Sequence, residues 1–168
     1  MSEQSQVQCP RFKIHNRTGS VQFTLKPAHF AGETFETRDG EKIRVLKKGH
    51  LMVEMANATD QTDSRGNSVY DWANKVSMKL SDADIQEVLA GLQDRACKIV
   101  HDPNKAYGGD GGEGSLPKSC LQLSKGERFG YFMAMSRGDK KAKCPISDTD
   151  AQTFRLLLAR AVARIYGW

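Results

Sequence analysis

Residues 140–168 read KKAKCPISDTDAQTFRLLLARAVARIYGW and combine two kinds of periodicity. Polar and apolar residues alternate from Lys140 to Ile146, which predicts a half-buried strand. Thr149, with Gln152 three residues later, predicts the first turn of a helix. Apolar residues then recur at helical spacing and form one stripe: Phe154, Leu157, Leu158, Ala161, Val162 and Ile165. This stretch therefore predicts a strand followed by a helix whose apolar side packs against a sheet.

Three more strands are predicted upstream of this unit. Residues 116–124 and 129–136 form alternating segments, with turns at Gly126 and Gly138. A short apolar segment over residues 97–100 predicts a further strand. Four strands therefore precede the last helix.

The first half of the chain repeats this order. Period-two alternation predicts four strands, over residues 11–16, 21–25, 42–46 and 50–56, and a short alternating stretch follows at residues 76–80. Asp39-Gly40 is a strong hairpin-turn signal, and the polar residues 57–68 predict a loop. Ser81, with Asp84 three residues later, predicts the N-cap of a short helix that ends near Gly91.

Four strands and a helix, repeated once, define the expected fold class. We expect an α+β fold in which two four-stranded antiparallel sheets pack together, each followed by a helix. A length of 168 residues suits one domain. We place this domain at residues 11–168, after a flexible N-terminus at residues 1–10.

The balance of charge is basic, with a net charge of +5 and a pI near 9.1. This balance favours a polyanionic partner, nucleic acid before an anionic membrane surface. No apolar run approaches the ~20 residues that cross a bilayer, so we expect no membrane partner. The polar N-terminus shows neither a signal nor a transit peptide. We expect a cytoplasmic or nucleoid-associated protein; the alternative is a mitochondrial or plastid protein after transit-peptide removal.

The sequence carries no motif for catalysis or for cofactor binding. The cysteines have no ligand spacing, so we expect reduced thiols, no metal site and no cofactor. The glycine-rich residues 107–114 lack the Gly-Lys-Ser/Thr that opens a phosphate-binding helix, and they predict a flexible connection. No serine or cysteine lies in a nucleophile elbow. These patterns predict a binding protein and not an enzyme.

Several short segments resemble, in their order along the chain, the Whirly family of single-stranded DNA-binding proteins. They are Tyr70-Asp71-Trp72, Leu80-Ser81, His101-Asp102-Pro103, Gly130-Tyr131-Phe132 and Gly167-Trp168. The resemblance implies two sheets packed crosswise and helices that assemble a homo-oligomer, a tetramer. It also implies that single-stranded DNA lies on the sheets with little sequence preference. The implied roles are DNA maintenance, repair or recombination, and transcription.

One segment departs from the family pattern. A Lys-Gly-Lys-Ala-Ala-Leu motif falls on the first hairpin of Whirly proteins, where this chain has Arg17-Thr18-Gly19-Ser20-Val21-Gln22. The glycine and one basic residue are retained, but the second lysine is not. The kinetoplastid mitochondrial guide-RNA-binding proteins share the implied fold, so an RNA-binding or annealing protein is an alternative. A protein-binding transcription cofactor is another.

A surface for single strands needs cations along the backbone path and flat or apolar side chains under the bases. The polar faces of the predicted strands supply the cations and hydrogen-bonding groups. For Phe129, Tyr131 and Phe132, core packing is the stronger interpretation, and alternation directs Tyr131 and Phe132 to opposite faces. The candidate contact residues are Arg17, Gln22, Thr24, Lys26, Phe30, Phe35, Lys42, Arg44, Lys118, Gln122 and Tyr131.

Overall fold

A computed structural model describes residues 9–106, 116–128 and 130–168 of the chain. The predicted connection at 107–114 and Phe129 lie outside the described residues, as does most of the N-terminus. The strands are β1 (Arg11–His15), β2 (Gly19–Lys26), β3 (His29–Glu36), β4 (Lys42–Lys47), β5 (His50–Thr62), β6 (Ser68–Tyr70), β7 (Val76–Leu80), β8 (Cys97–His101), β9 (Ser119–Lys125), β10 (Tyr131–Arg137) and β11 (Lys140–Ile146). The helices are α1 (Asp82–Gly91), α2 (Pro103–Ala106) and α3 (Asp148–Tyr166), with one 3-10 turn at Trp72–Asn74.

The strands of the described residues form three antiparallel sheets, so the prediction of two four-stranded sheets is wrong for the first half of the chain. The first sheet has the order β1-β2-β5-β7, and β6 pairs with the far end of β5. The second sheet has the predicted four strands, in the order β11-β10-β9-β8. Strands β3 and β4 form a separate two-stranded hairpin.

A break in the β2–β5 ladder separates this hairpin from the first sheet. The ladder ends at the pair Lys26 and His50 and resumes between β3 and β4. At the break, the backbone amides of Ala28 and Gly49 each donate a hydrogen bond, 2.9 Å long, to the last carbonyls of α3. The carbonyls at the end of α3 thus accept hydrogen bonds from amides that would donate to the neighbouring strand in a continuous ladder. Gly49 is required here, because a Cβ would lie 2.2 Å from the Lys26 carbonyl oxygen.

The predicted loop at residues 57–68 is also wrong in part, because β5 continues to Thr62 and turns into β6. The Asp63 carboxylate holds this turn by accepting 2.8 Å hydrogen bonds from the backbone amides of Arg65 and Asn67. The part of β5 beyond Ala56 is exposed for most of its length, and its residues are mostly polar. It carries no apolar alternation by which the sequence would have revealed a strand.

The two long helices begin with serine caps. Ser81 and Asp84 form the predicted capping box on α1. Helix α3 begins earlier than predicted, because Ser147 and not Thr149 is its N-cap and accepts a 3.1 Å bond from the Asp150 amide. In the described part of the chain, neither helix is long and apolar enough to cross a membrane.

One hydrophobic core joins the two larger sheets and helices α1 and α3. The Phe154 ring of α3 lies at its centre, 4.1 Å from the Phe23 ring. Along the predicted stripe of α3, Phe154, Leu158 and Ile165 are buried, whereas Leu157 is 44% exposed. The helix therefore covers the core with only part of its apolar side.

Side-chain amides join the edge of the second sheet to the first. The Asn57 side chain donates to the Lys141 carbonyl at 2.8 Å and accepts from the Lys143 amide at 3.2 Å. The Asn16 side chain donates to the Pro145 carbonyl at 2.6 Å. These bonds satisfy the outer edge of β11 and fix it beside the end of β5.

Candidate nucleic-acid interface

The second sheet has one side in the core and one side in solvent. Along each strand, alternate residues such as Leu121, Met133 and Cys144 are buried, and the residues between them point the other way. We call this solvent side the outer face of the second sheet. It consists of Lys98, Val100, Cys120, Gln122, Ser124, Phe132, Ala134, Ser136, Lys141, Lys143 and Pro145.

The strand register arranges this face in rows. One row pairs Lys98 of β8 with Gln122, Gln122 with Ala134, and Ala134 with Lys143 of β11. A lysine thus stands at each end of the row, with a small side chain near its middle. Strands lie ~4.8 Å apart, so the two lysines start from backbones ~14 Å apart.

Apolar side chains form the floor between these cations. Phe132 is 38% exposed and Val100 is 52% exposed on the outer face. A cleft of about 690 Å³ follows the floor past Phe132, Ala134 and Cys120 and reaches Asn57 at the junction with the first sheet. The interpretation of Phe132 as a core residue is therefore wrong, because its strand turns it outward beside the open cleft.

The charge on this face has one sign. None of the outer-face residues is acidic, and Lys98, Lys141 and Lys143 are exposed. Ion pairs elsewhere in the described part of the chain engage other lysines, such as Lys48 and Lys75. An exposed lysine with no carboxylate partner keeps its full attraction for anions.

The arrangement combines charged groups with flat and apolar ones. Such a face can hold phosphates at its lysines and unstacked bases against its floor. Among the described residues, no three His, Cys, Asp or Glu side chains come together as metal ligands would.

Of the predicted contact residues, Gln122 lies at the centre of this face. Lys118 precedes β9, and its ammonium group lies 2.9 Å from the Asp102 carboxylate, which lowers the pKa of Asp102. Tyr131 points to the core side, where its hydroxyl donates to the Leu92 carbonyl at 2.9 Å, and burial raises its pKa. The side chains of Lys118 and Tyr131 are thus engaged in contacts with other residues of the protein.

The first sheet brings Gln22, Thr24 and Lys26 together on its outer side, as the alternation predicts. Thr24 is buried, however, and Gln22 donates a 3.1 Å hydrogen bond to the Glu54 carboxylate. Lys26 is exposed, 3.4 Å from the Cys9 sulfur. The Glu54 carboxylate is in turn paired with the Lys75 ammonium group at 2.6 Å, so Gln22 and Glu54 are already engaged in contacts within the protein.

The remaining predicted residues lie on other elements. Arg17 is exposed in the turn between β1 and β2. Phe30, Phe35, Lys42 and Arg44 are all exposed on the β3–β4 hairpin, away from the second sheet.

The prediction missed Lys98, Lys141 and Lys143. The alternation that identified β11 already placed Lys141 and Lys143 on one side of that strand, which was a usable signal. Their alignment with Lys98 depends on the register of four strands, which no single segment contains.

Comparison with known proteins agrees with this architecture. The family model described as Whirly transcription factor matches residues 14–157, most of the chain. The chain belongs to the Whirly family. The resemblance seen in the short sequence segments is thereby confirmed.

One curated relative that the chain matches is distant in sequence. The chloroplastic single-stranded DNA-binding protein WHY3 of Arabidopsis thaliana is 26% identical over 141 residues, which cover 83% of this chain and 48% of the relative. The chain thus spans about half the length of that curated relative.

Solved Whirly structures share the fold. The crystal structure of WHY1 from Arabidopsis thaliana matches with a TM-score of 0.71 at 19% identity, covering 95% of this chain and 92% of that one. The plant transcriptional regulator PBF-2 matches with a TM-score of 0.72 at 19% identity, covering 95% and 84% of the two chains. The architecture is therefore the α+β Whirly fold.

Proposed function

We propose that this Whirly protein binds single-stranded DNA, with little sequence preference, on the outer face of the second sheet. The observation that carries the proposal is the frame of three exposed lysines around an apolar floor that contains no acidic residue. Phosphates would lie at Lys98, Lys141 and Lys143. Bases would lie against Phe132 and the cleft beside it.

The chemistry of this floor favours single strands. Stacking on Phe132 requires a base whose face is free, and a duplex keeps its bases stacked on each other. Gln122 can hydrogen-bond to a phosphate or a base edge, but one amide gives little discrimination among bases. Arg17, exposed in the turn between β1 and β2, extends the path toward the first sheet.

The cellular role follows from holding a strand extended. We propose that binding acts in DNA maintenance, in repair or recombination, or in transcription, with no catalytic step. The name of WHY3 as a single-stranded DNA-binding protein and that of PBF-2 as a transcriptional regulator support these roles. We propose a nucleoid location, in a cytoplasm or an organelle; the chloroplastic relative supports the organelle.

We also propose that the protein forms a homotetramer through α3. Leu156 is 68% exposed and Leu157 is 44% exposed on this helix. Burying two leucines against another copy would remove apolar surface from water, at about 25 cal/mol per Å².

Binding titrations with single-stranded and duplex DNA and RNA of one sequence test the proposal. We expect tight binding to single-stranded DNA, weak binding to duplex, and affinity that falls with salt. Equal affinity for duplex and single strand would overturn it. Stronger binding to the RNA strand would identify an RNA-binding protein, and no retention of either strand at physiological salt would indicate a protein partner instead.

A further inference from the structure

The β3–β4 hairpin carries a large share of the exposed apolar side chains. Within the described residues, neither of its strands pairs with a third strand, and every residue of β4 is exposed. Five large apolar side chains of this hairpin face solvent: Phe30, Phe35, Ile43, Val45 and Leu46. So many exposed apolar side chains on one short hairpin mark an interaction site.

Both sides of the hairpin are apolar. The register pairs Phe30 with Leu46 on one side and Phe35 with Ile43 on the other. Within the part of the chain that the structure describes, neither outer edge has a strand partner, and such an edge is a ready template for another strand. A lone two-stranded hairpin is only marginally stable in water, so a partner that covers these sides would stabilise it.

The charge of the hairpin distinguishes it from the rest of the chain. Residues 29–47 contain four acidic and four basic side chains, so the hairpin is neutral and the whole excess of +5 lies outside it. A neutral apolar surface is a poor site for a polyanion. It is, in contrast, the region where two copies of a basic chain approach with the least repulsion.

The base of the hairpin is held in place before any partner binds. The ammonium group of Lys48 lies 2.7 Å from the Asp82 carboxylate and 3.1 Å from the Tyr166 hydroxyl. These contacts join the hairpin to the start of α1 and the end of α3, in addition to the two backbone bonds at the ladder break. A surface ordered in advance loses less entropy on association.

We propose that the β3–β4 hairpin is a contact surface for a second copy of this chain, hairpin against hairpin about a two-fold axis. The second copy offers what the surface requires: apolar side chains, free strand edges and balanced charges of both signs. Because a two-fold contact uses the same patch twice, the patch must be complementary to itself. The contact is separate from α3 and does not depend on DNA binding.

Charge reversal of the full-length chain tests this proposal without removing apolar packing. In one variant, Lys42→Glu with Arg44→Glu, each substitution changes the charge by two, so the net charge of the hairpin becomes −4. In the other, Glu33→Lys with Glu36→Lys, the net charge of the hairpin becomes +4. Light scattering and sedimentation measure the mass of each variant alone and of an equal mixture. We expect each variant alone to fall to half the wild-type mass or less, and the mixture to regain the wild-type mass.

A second test variant and a control variant complete the experiment. Phe35→Thr with Ile43→Thr keeps strand propensity and removes apolar contact, and it should also halve the mass. Val100→Thr removes an equally exposed apolar side chain from the second sheet and should leave the mass unchanged. A wild type that is monomeric at every concentration overturns the proposal. So do charge variants that keep the wild-type mass, or a mixture that stays dissociated.

Discussion

Replacing Lys141 and Lys143 together by alanine removes two of the three lysines that frame the outer face of the second sheet. Both side chains are exposed, and alanine leaves the buried side of β11, with Ala142 and Cys144, unchanged. Surface changes of this kind alter stability by less than ~0.5 kcal/mol. The effect should therefore fall on DNA binding alone.

The expected loss follows from counterion release. Each phosphate contact contributes about 0.7 to the slope of log K against log salt for single strands, so two contacts contribute about 1.4. If wild type and variant bind equally at about 1 M salt, this difference in slope makes the variant bind ~25-fold more weakly at about 0.1 M salt, or by ~1.9 kcal/mol. The wild type and the variant should converge as the salt concentration rises toward about 1 M.

Fluorescence anisotropy of a labelled single strand, titrated at several salt concentrations, measures this slope. The matched control is Lys42→Ala with Arg44→Ala, which removes the same charge from the neutral hairpin. We expect the control to keep nearly the wild-type slope. An unchanged slope in the Lys141 and Lys143 variant, or an equal loss in the control, would refute the placement of the phosphates.

Three further predictions concern single contacts. Phe132→Ala should weaken single-strand binding by ~1–3 kcal/mol at every salt concentration, because stacking is not ionic; a salt series that shows no parallel offset contradicts this role. Gly49→Ala should destabilise the fold by ~1–3 kcal/mol in urea unfolding, since its Cβ would meet backbone, whereas Gly32→Ala, with open space around it, serves as the control. Hydrogen bonds from Lys48 and Tyr166 lower the pKa of Asp82 from 3.8 to about 2. The ionised carboxylate therefore stabilises the fold above the unfolded pKa of 3.8, and this stabilisation is lost as the pH falls through about 2. In urea unfolding, Asp82→Asn should be less stable than the wild type near neutral pH and equally stable in strong acid.

The elements that could be predicted from the sequence are those specified by nearby residues. The alternation in Lys140–Ile146 defined β11, and the Ser81 and Asp84 pair defined the start of α1. Helix α3 shows the limit of such local signals. Two Ser/Thr positions carry a capping partner three residues later, and the end of β11 at Ile146 leaves Ser147 extended to act as the cap.

The features that escaped prediction depend on contacts distant in sequence. The ladder between β2 and β5 breaks where the end of α3 binds the amides of Ala28 and Gly49, more than a hundred residues earlier in the chain. The candidate site shows the same division. Gln122 was identified from its own strand, whereas Lys98 and Lys143 join it only through the register of the whole second sheet.

Cys120 offers the most direct test of where the strand lies. It is half-buried on the floor of the cleft, whereas Cys97 and Cys144 are buried in the core and Cys9 lies beside Lys26 at the first sheet. The measurement is the rate of thiol alkylation at each cysteine, followed by peptide mass spectrometry, with and without saturating single-stranded DNA. A strand on the outer face of the second sheet should slow alkylation of Cys120 and leave Cys9 unaffected. Unchanged reactivity at Cys120, or protection of Cys9 in its place, would contradict the proposed interface.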